Sequence, residues 1–354
     1  RRRELKVDVL HTHDWPTGLL PLLVRVDEQR KAINLAVRTV HTIHNLAFQG
    51  VFPLRSFYRT NLPEELMGVD GVEYYGQVSM MKAGLQFADR ITTVSPNFAK
   101  EIQTPEFGCG LDGVVQQRAD DLVGMINGID TDIWNPAKDS LIPGNYSVED
   151  LGGKKLCRAT LLRTHGFDPM YKGPVFGMVC RLTEQKGVQL LLANEELLAK
   201  SKLKLVVIGT GDIDLEDRLR GLAERLPDRV SFLAAVDESA SHLVESGADF
   251  FLMPSLFEPC GLNQMYSQVY GTVPVVTRVG GLIDTVSDAT ADGSVGTGIL
   301  IPPDADGLAV GIGRALELWS DREAYQAVQT RGMRQDFGWS GAVNAYENYY
   351  NEIV

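Results

Sequence analysis

The sequence contains no apolar run approaching the roughly 20 residues that a membrane-spanning helix needs, so no transmembrane helix is expected. Its cysteines are few and scattered: Cys109, Cys157, Cys180 and Cys260, with no CxxC pair among them. That spacing fits free thiols in a reducing, cytoplasm-like compartment better than a disulfide framework or a zinc knuckle. Basic residues are also short, 34 Lys and Arg against 46 Asp and Glu, for a formal net charge of −12. Nucleic acid or an anionic membrane would require a basic face, so neither is expected as a partner, and any anionic ligand must be held by a few local cations. The loop "RLTEQKG" at 181–187 matches neither a Walker loop nor a GxGxxG fingerprint, which weakens NTPase and dehydrogenase readings. Repeats and low-complexity tracts are lacking too. The start, "RRRELKVDVLHTHDW", is basic, but Glu4, Lys6 and Asp8 break it up and make it a poor signal peptide. "VDVLHTH" reads instead as a strand already under way.

What remains is an ordinary soluble composition, 44% hydrophobic and 23% charged, over 354 residues, long enough for two cores. Short β-branched runs recur, each followed by a turn and a helical pattern. The first half has "VDVLHTH", "LAVRTVHT", "RITTVS" and "LVGMING"; the second has "VFGMVCRL", "LKLVVIGTGD", "VSFLAAV", "FFLMPS", "VPVVTR" and "GILIPP". Strands alternating with helices, such as those expected over 187–200 and 305–319, predict βαβ units and parallel sheets. Runs apolar on both faces agree, because parallel sheets are covered on both sides. The expected architecture is therefore α/β, with two Rossmann-like, doubly wound domains facing a cleft. Their break falls between "NPAKDSLIPGNYS" and "YKGPVFG": residues 1–146 form the first domain and 147–337 the second. Ser147 and Asp150 are spaced as a capping box for a helix over 147–165. The last stretch, 338–354, is an aromatic-rich amphipathic helix.

In open parallel sheets, ligands sit beyond the carboxyl ends of the strands. The polar residues there are His11, His13, Asp14, His41, His44, Asn45 and Asn127 in the first half. In the second they are Arg181, Glu184, Lys186, "GTGD" at 209–212, Glu258 and "VGG" at 279–281. "RLTEQKG" offers Arg181 as a planar fork and Lys186 as a point charge for a phosphate or diphosphate. A solvated turn with two surface cations is the bland alternative. "HTHDW" and "HTIH" have plausible metal-ligand spacings, but no Cys or Glu completes a set, and hydrogen bonding to neighbouring loops explains them as well. Asp14 suits an N-cap before "WP". Glu258 is a poor N-cap, and it precedes what reads as a helix start after Gly261. A carboxylate beside that positive helix end stays ionised, and it can accept sugar hydroxyls or favour a developing positive charge.

"LMPSLFEPCGLNQMY", with "TVHTIHNLAFQG", "HTHDWPTGL", "VSPNFAKEI", "MINGIDTDIWNP", "CRLTEQKG" and "VGGLIDTV", resembles the bacterial glycogen synthase and plant starch synthase family. The likeness runs in order from about Val7 to the end. Tyr266 stands where other retaining GT-B transferases carry a second Glu, as it does in the synthases. The resemblance implies transfer of glucose from ADP-glucose, less often UDP-glucose, to the non-reducing end of an α-1,4-glucan, with retention of configuration and no metal or other cofactor. It implies that Arg181 and Lys186 hold the diphosphate. Glu258 and the backbone of Cys260, Gly261 and Leu262 would hold the donor glucose, with Asn263 on the phosphate side. His44 and Asn127 would approach that sugar from the first domain, with Asp14 nearby. The final helix would return to the first domain and complete it. The compartment would be a bacterial cytoplasm or a plastid stroma.

Three departures qualify that picture. The family's Lys-x-Gly-Gly-Leu loop and about the first hundred residues of the pattern are absent, so the first domain is expected to be incomplete, and the chain a fragment, inactive and poorly soluble alone. Asn263 stands where Thr is usual. Val236 replaces a usually aromatic residue, weakening nucleotide-base packing. The competing readings are an inactive homologue that binds glucan or nucleotide, another sugar-nucleotide transferase making sucrose or trehalose, and a zinc hydrolase built on the histidines.

Overall fold

A computed structural model describes residues 7–31, 36–235 and 237–354. Its contacts divide the chain into two compact units, residues 1–127 with 340–354, and residues 128–339. Val236 lies outside the described residues, so its packing against a base is not addressed.

In the first unit, strands β1 (Val9–His13), β2 (Arg38–Ile43), β6 (Arg90–Thr93) and β7 (Leu122–Gly124) form a parallel sheet in the order β1-β2-β6-β7. Between β2 and β6, the chain makes a small antiparallel sheet from β3 (Val51–Pro53), β4 (Glu73–Tyr74) and β5 (Gln77–Ser79). Strands of two or three residues are too short to show alternation, and this sheet has no counterpart in the sequence reading.

The second unit holds β8 (Val175–Val179), β9 (Lys204–Ile208), β10 (Val230–Leu233), β11 (Phe250–Met253), β12 (Val273–Thr277) and β13 (Ile299–Ile301). They form one parallel sheet in the order β10-β9-β8-β11-β12-β13. Counted from its own first strand, that is the 3-2-1-4-5-6 order of a doubly wound dinucleotide-type fold. The packing follows from side-chain alternation. Phe176, Met178, Leu205, Val207, Phe250 and Leu252 enter one core, while their neighbours Val175, Val206, Ile208, Phe251 and Met253 enter another. Both faces are buried, which is why these strands read as unbroken apolar runs.

Two local expectations need correction. Ser147 and Asp150 do not form a capping box. They exchange backbone hydrogen bonds at 3.1 and 3.2 Å, and the helix starts later, at Gly152–Thr164, where Asp150 Oδ1 accepts from Gly152 N at 2.8 Å. The helix expected over 187–200 is two helices, Val188–Ala193 and Glu195–Lys200. Asn194 lies at the break, and its amide donates to Leu190 O and Ala305 O, both at 2.9 Å.

The boundary also falls earlier than 146. Trp134 lies against the rings of His242 and Tyr266 at centroid distances of 3.9 and 3.7 Å. Buried Asp139 accepts from the Tyr270 hydroxyl at 2.6 Å and is hydrogen-bonded to His242 Nδ1 at 2.7 Å. Residues 128–146 therefore pack as part of the second unit. The helix Trp339–Ile353 belongs almost wholly to the first unit, where Tyr349 packs with Val40 and Met125.

Candidate active site

Strands β8 and β11 are neighbours, but the chain leaves β8 toward β9 and leaves β11 toward β12, on opposite sides. At such a reversal the loops beyond the carboxyl ends diverge and leave room for a ligand. The loops are 180–187 and 254–262, and they are joined closely. Leu256 N donates to Gln185 O at 2.8 Å, and Gln185 Nε2 donates to Phe257 O at 3.2 Å. Gly187 has φ +67°, and a Cβ there would lie 1.8 Å from Pro254 O. Only glycine permits both that dihedral and that approach. From the other side, the turn at 279–281 supports the second loop: Gly281 N donates to Glu258 O at 3.0 Å and to Pro259 O at 3.2 Å.

This backbone framework sets Lys186 Nζ 2.6 Å from Glu258 Oε2, a mostly buried pair with side chains 19% and 7% exposed. Ser255 Oγ donates to the same oxygen at 3.0 Å. Next to the pair is a hollow of about 220 Å³ whose walls include Cys180, Arg181, Lys186, Ser255 and Asn263. Glu258 fixes Lys186, which lines the hollow, through this ion pair. Arg181 makes no ion pair among the described residues. Burial pushes the Cys180 thiol up to about 12, so it is an uncharged wall and not a nucleophile. The short helix Asn263–Val269 starts directly after Cys260, which is buried, Gly261 (φ +71°) and the exposed Leu262. Two cations on a small hollow suit a diphosphate, and a fixed carboxylate beside them suits sugar hydroxyls.

Comparison with known proteins identifies the family. Residues 1–117 match the family model described as the starch synthase catalytic domain, and residues 173–318 match glycosyl transferases group 1. The chain is 55% identical over its whole length to a glycogen synthase of Opitutus terrae, spanning 74% of that protein. It is 47% identical to one of Paracidovorax citrulli, over 97% of this chain and 68% of the relative. The chain belongs to the glycogen and starch synthase family. Among solved structures, the catalytic domain of starch synthase IV from Arabidopsis thaliana, bound to ADP and acarbose, superposes with a TM-score of 0.90 at 29% identity, over 98% of this chain and 73% of that one. Sucrose-phosphate synthase from Thermosynechococcus elongatus shares the fold, with a TM-score of 0.60 at 21% identity. The fold is thus the GT-B type of these glycosyltransferases.

The remaining residues implied by the synthase resemblance lie in the first unit. Asp14 does not cap the helix it opens. Its backbone is left-handed (φ 51°), and Oδ1 accepts instead from His44 N at 2.7 Å and Asn45 N at 3.4 Å, tying the end of β1 to the end of β2. His44 Nε2 is hydrogen-bonded to His13 Nδ1 at 3.0 Å. Asn127 follows β7 and is half-buried. His41 is not at a strand end at all: it is fully buried, bonded through Nδ1 to Thr12 Oγ at 2.9 Å. His11 is held by Thr42 Oγ and the Tyr350 hydroxyl, each at 2.6 Å. Burial first, then the neighbouring imidazoles, lower the His11 pKa to about 4. Among the described residues, no group of three or more His, Cys, Asp or Glu side chains is placed to hold a metal ion. Hydrogen bonds to threonine, tyrosine and each other account for the clusters that suggested one.

Sequence reasoning missed Ser255 and Gln185, which orient Glu258 and join the loops. Both lie inside stretches already singled out: Gln185 reaches a loop about seventy residues away, whereas Ser255 acts within its own loop, on a carboxylate three residues on. It also missed Glu245, an acidic residue in the last turn of the helix Glu238–Gly247. That placement is a legible signal, because the negative end of the helix dipole disfavours a carboxylate.

Proposed function

We propose that this protein transfers glucose from ADP-glucose to the non-reducing end of an α-1,4-glucan with retention of configuration. The observation carrying the reading is the Lys186–Glu258 pair at 2.6 Å beside Arg181, beyond the carboxyl ends of β8 and β11. A nucleotide-sugar donor and a glucan acceptor accord with the glycogen synthase relatives and with the ADP and acarbose bound to starch synthase IV. Four free cysteines suit a reducing compartment such as a bacterial cytoplasm.

In this reading Arg181 and Lys186 bind the diphosphate and offset the charge that grows on it as the C1–O bond breaks. Glu258 holds Lys186 extended before the ligand arrives, so little reorganisation is needed. Its Oε2 is committed to Lys186 and Ser255, which leaves Oε1 to accept from a sugar hydroxyl. The acceptor hydroxyl attacks C1 on the face the diphosphate leaves, its proton passes to the departing phosphate oxygen, and ADP is released. The backbone of Cys260, Gly261 and Leu262 cradles the sugar, and Asn263 lines the same hollow.

The test is incorporation of labelled glucose into glycogen by the protein expressed from its complete gene, with ADP-glucose and UDP-glucose compared. Lys186→Ala and Arg181→Ala should each lower kcat/KM by about 100-fold or more. Near-normal turnover in both variants would refute their roles, and failure of the wild type to label glycogen from either donor would refute the function.

A further inference from the structure

Asn263 borders the hollow with Arg181 and Lys186. Nδ2 donates to Glu245 Oε1 at 3.3 Å and reaches Val179 O at 3.5 Å. Both amide hydrogens are thereby committed, and among the described residues Oδ1 has no hydrogen-bond partner. Glu245 is fully buried, and its Oε2 has no partner in the structure. Burial drives its carboxyl well above the usual carboxylate range, toward the protonated form. A buried acid with one unsatisfied oxygen in the last turn of a helix costs stability, and an apolar residue of similar size would avoid that cost. Its one side-chain partner is Asn263.

We propose that Glu245 is a positioning residue: it takes the Asn263 amide group, so that the carboxamide oxygen is presented to the hollow as an acceptor for a hydroxyl of the transferred sugar. An acceptor oxygen gains nothing from phosphate oxygens, which are also acceptors, so the sugar is the part of the donor it can recognise. This gives Asn263 a different task from the phosphate-side contact implied by the family pattern. The inference rests on the synthase reading for the identity of the ligand.

The experiment compares binding of ADP and of ADP-glucose by calorimetry, without acceptor. Glu245→Leu fills the same space without a hydrogen-bonding group, and Glu245→Gln keeps an acceptor for Asn263. Glu245→Leu should weaken ADP-glucose about tenfold, the size of one lost hydrogen bond, and leave ADP within about twofold. Glu245→Gln should bind both as the wild type does. Asn263→Ala should show the same selective loss, and Glu245→Leu should add nothing to it. Should Glu245→Leu not fold, Asn263→Ala carries the comparison of the two ligands. Equal weakening of ADP and ADP-glucose, or losses that add in the double variant, would overturn the proposal. If the wild type binds neither nucleotide, the synthase reading fails instead. The Asn263 side-chain amide resonances, assigned by their loss in Asn263→Ala, then decide the positioning role. They must move in Glu245→Leu and stay in Glu245→Gln; unmoved resonances in Glu245→Leu overturn it.

Discussion

His41 shows how one residue can couple the fold to pH. It is fully buried in β2, and its Nε2 has no hydrogen-bond partner. Burial first, then the neighbouring histidines, lower its pKa to about 3. An unfolded imidazole titrates near 6.5, so below that pH the unfolded chain takes up a proton that the folded chain refuses. The contribution is complete above about pH 6.5 and erodes as pH falls toward 3, with about 2 kcal/mol lost by pH 5. Urea unfolding at pH 7.5 and 5.0 checks this: the acid-induced loss should be about 2 kcal/mol smaller in His41→Gln than in the wild type. Equal losses would remove His41 from the account. Asp14 carries a related lesson. "DWP" is a sound local argument for a cap, but the carboxylate accepts from the backbone at the end of β2, a partner that a local reading cannot supply.

At the scale of elements, every strand of the two parallel sheets was readable as a short apolar or β-branched run; in the six-stranded sheet burial on both faces imposes that composition, whereas β1 and β7 of the first unit are only partly buried. Their helices were readable where periodicity was long, as over Ala305–Ser320, and misjudged where one side chain decided, as at Asn194. The glycines of the loops divide in the same way. Gly187→Ala forces a Cβ to within 1.8 Å of Pro254 O and strains a left-handed residue. It should separate loops 180–187 and 254–262, lowering the melting temperature and cutting kcat/KM at least tenfold, since the loops align Lys186 with Glu258. Gly313→Ala is the control: it lies on an exposed helix position with nothing within 4 Å, and it should stabilise by about 0.5–1 kcal/mol. Thermal melts and initial rates of both variants separate loop geometry from a general effect of losing glycine.

At the scale of the molecule, the last helix is part of the first unit although its sequence follows the second. Tyr349 packs with Val40 and Met125, and the Tyr350 hydroxyl is hydrogen-bonded to His11 at 2.6 Å. Deleting residues 340–354 should uncover that cluster and destabilise the first unit while leaving the six-stranded sheet folded. Dye binding to exposed apolar surface should rise, and proteolysis should fall first on residues before 128. Unchanged protease resistance there would show that the helix is dispensable.

Composition and strand-helix alternation were enough to predict an α/β fold with parallel sheets, while the transferase reading and the donor-side roles proposed for Arg181, Lys186 and Glu258 came from the family resemblance carried by motifs such as those at 181–187 and 254–263. Such features are local: alternation reflects how a strand is covered, and a loop's chemistry is written in consecutive residues. What only the tertiary structure decided is which distant groups meet. It paired Glu258 with Lys186, turned Asn263 toward Glu245, and moved residues 128–146 into the second unit. Each of these depends on the order of strands in a sheet and the close approach of backbones far apart in the chain, which pairwise packing sets and no single stretch of sequence contains.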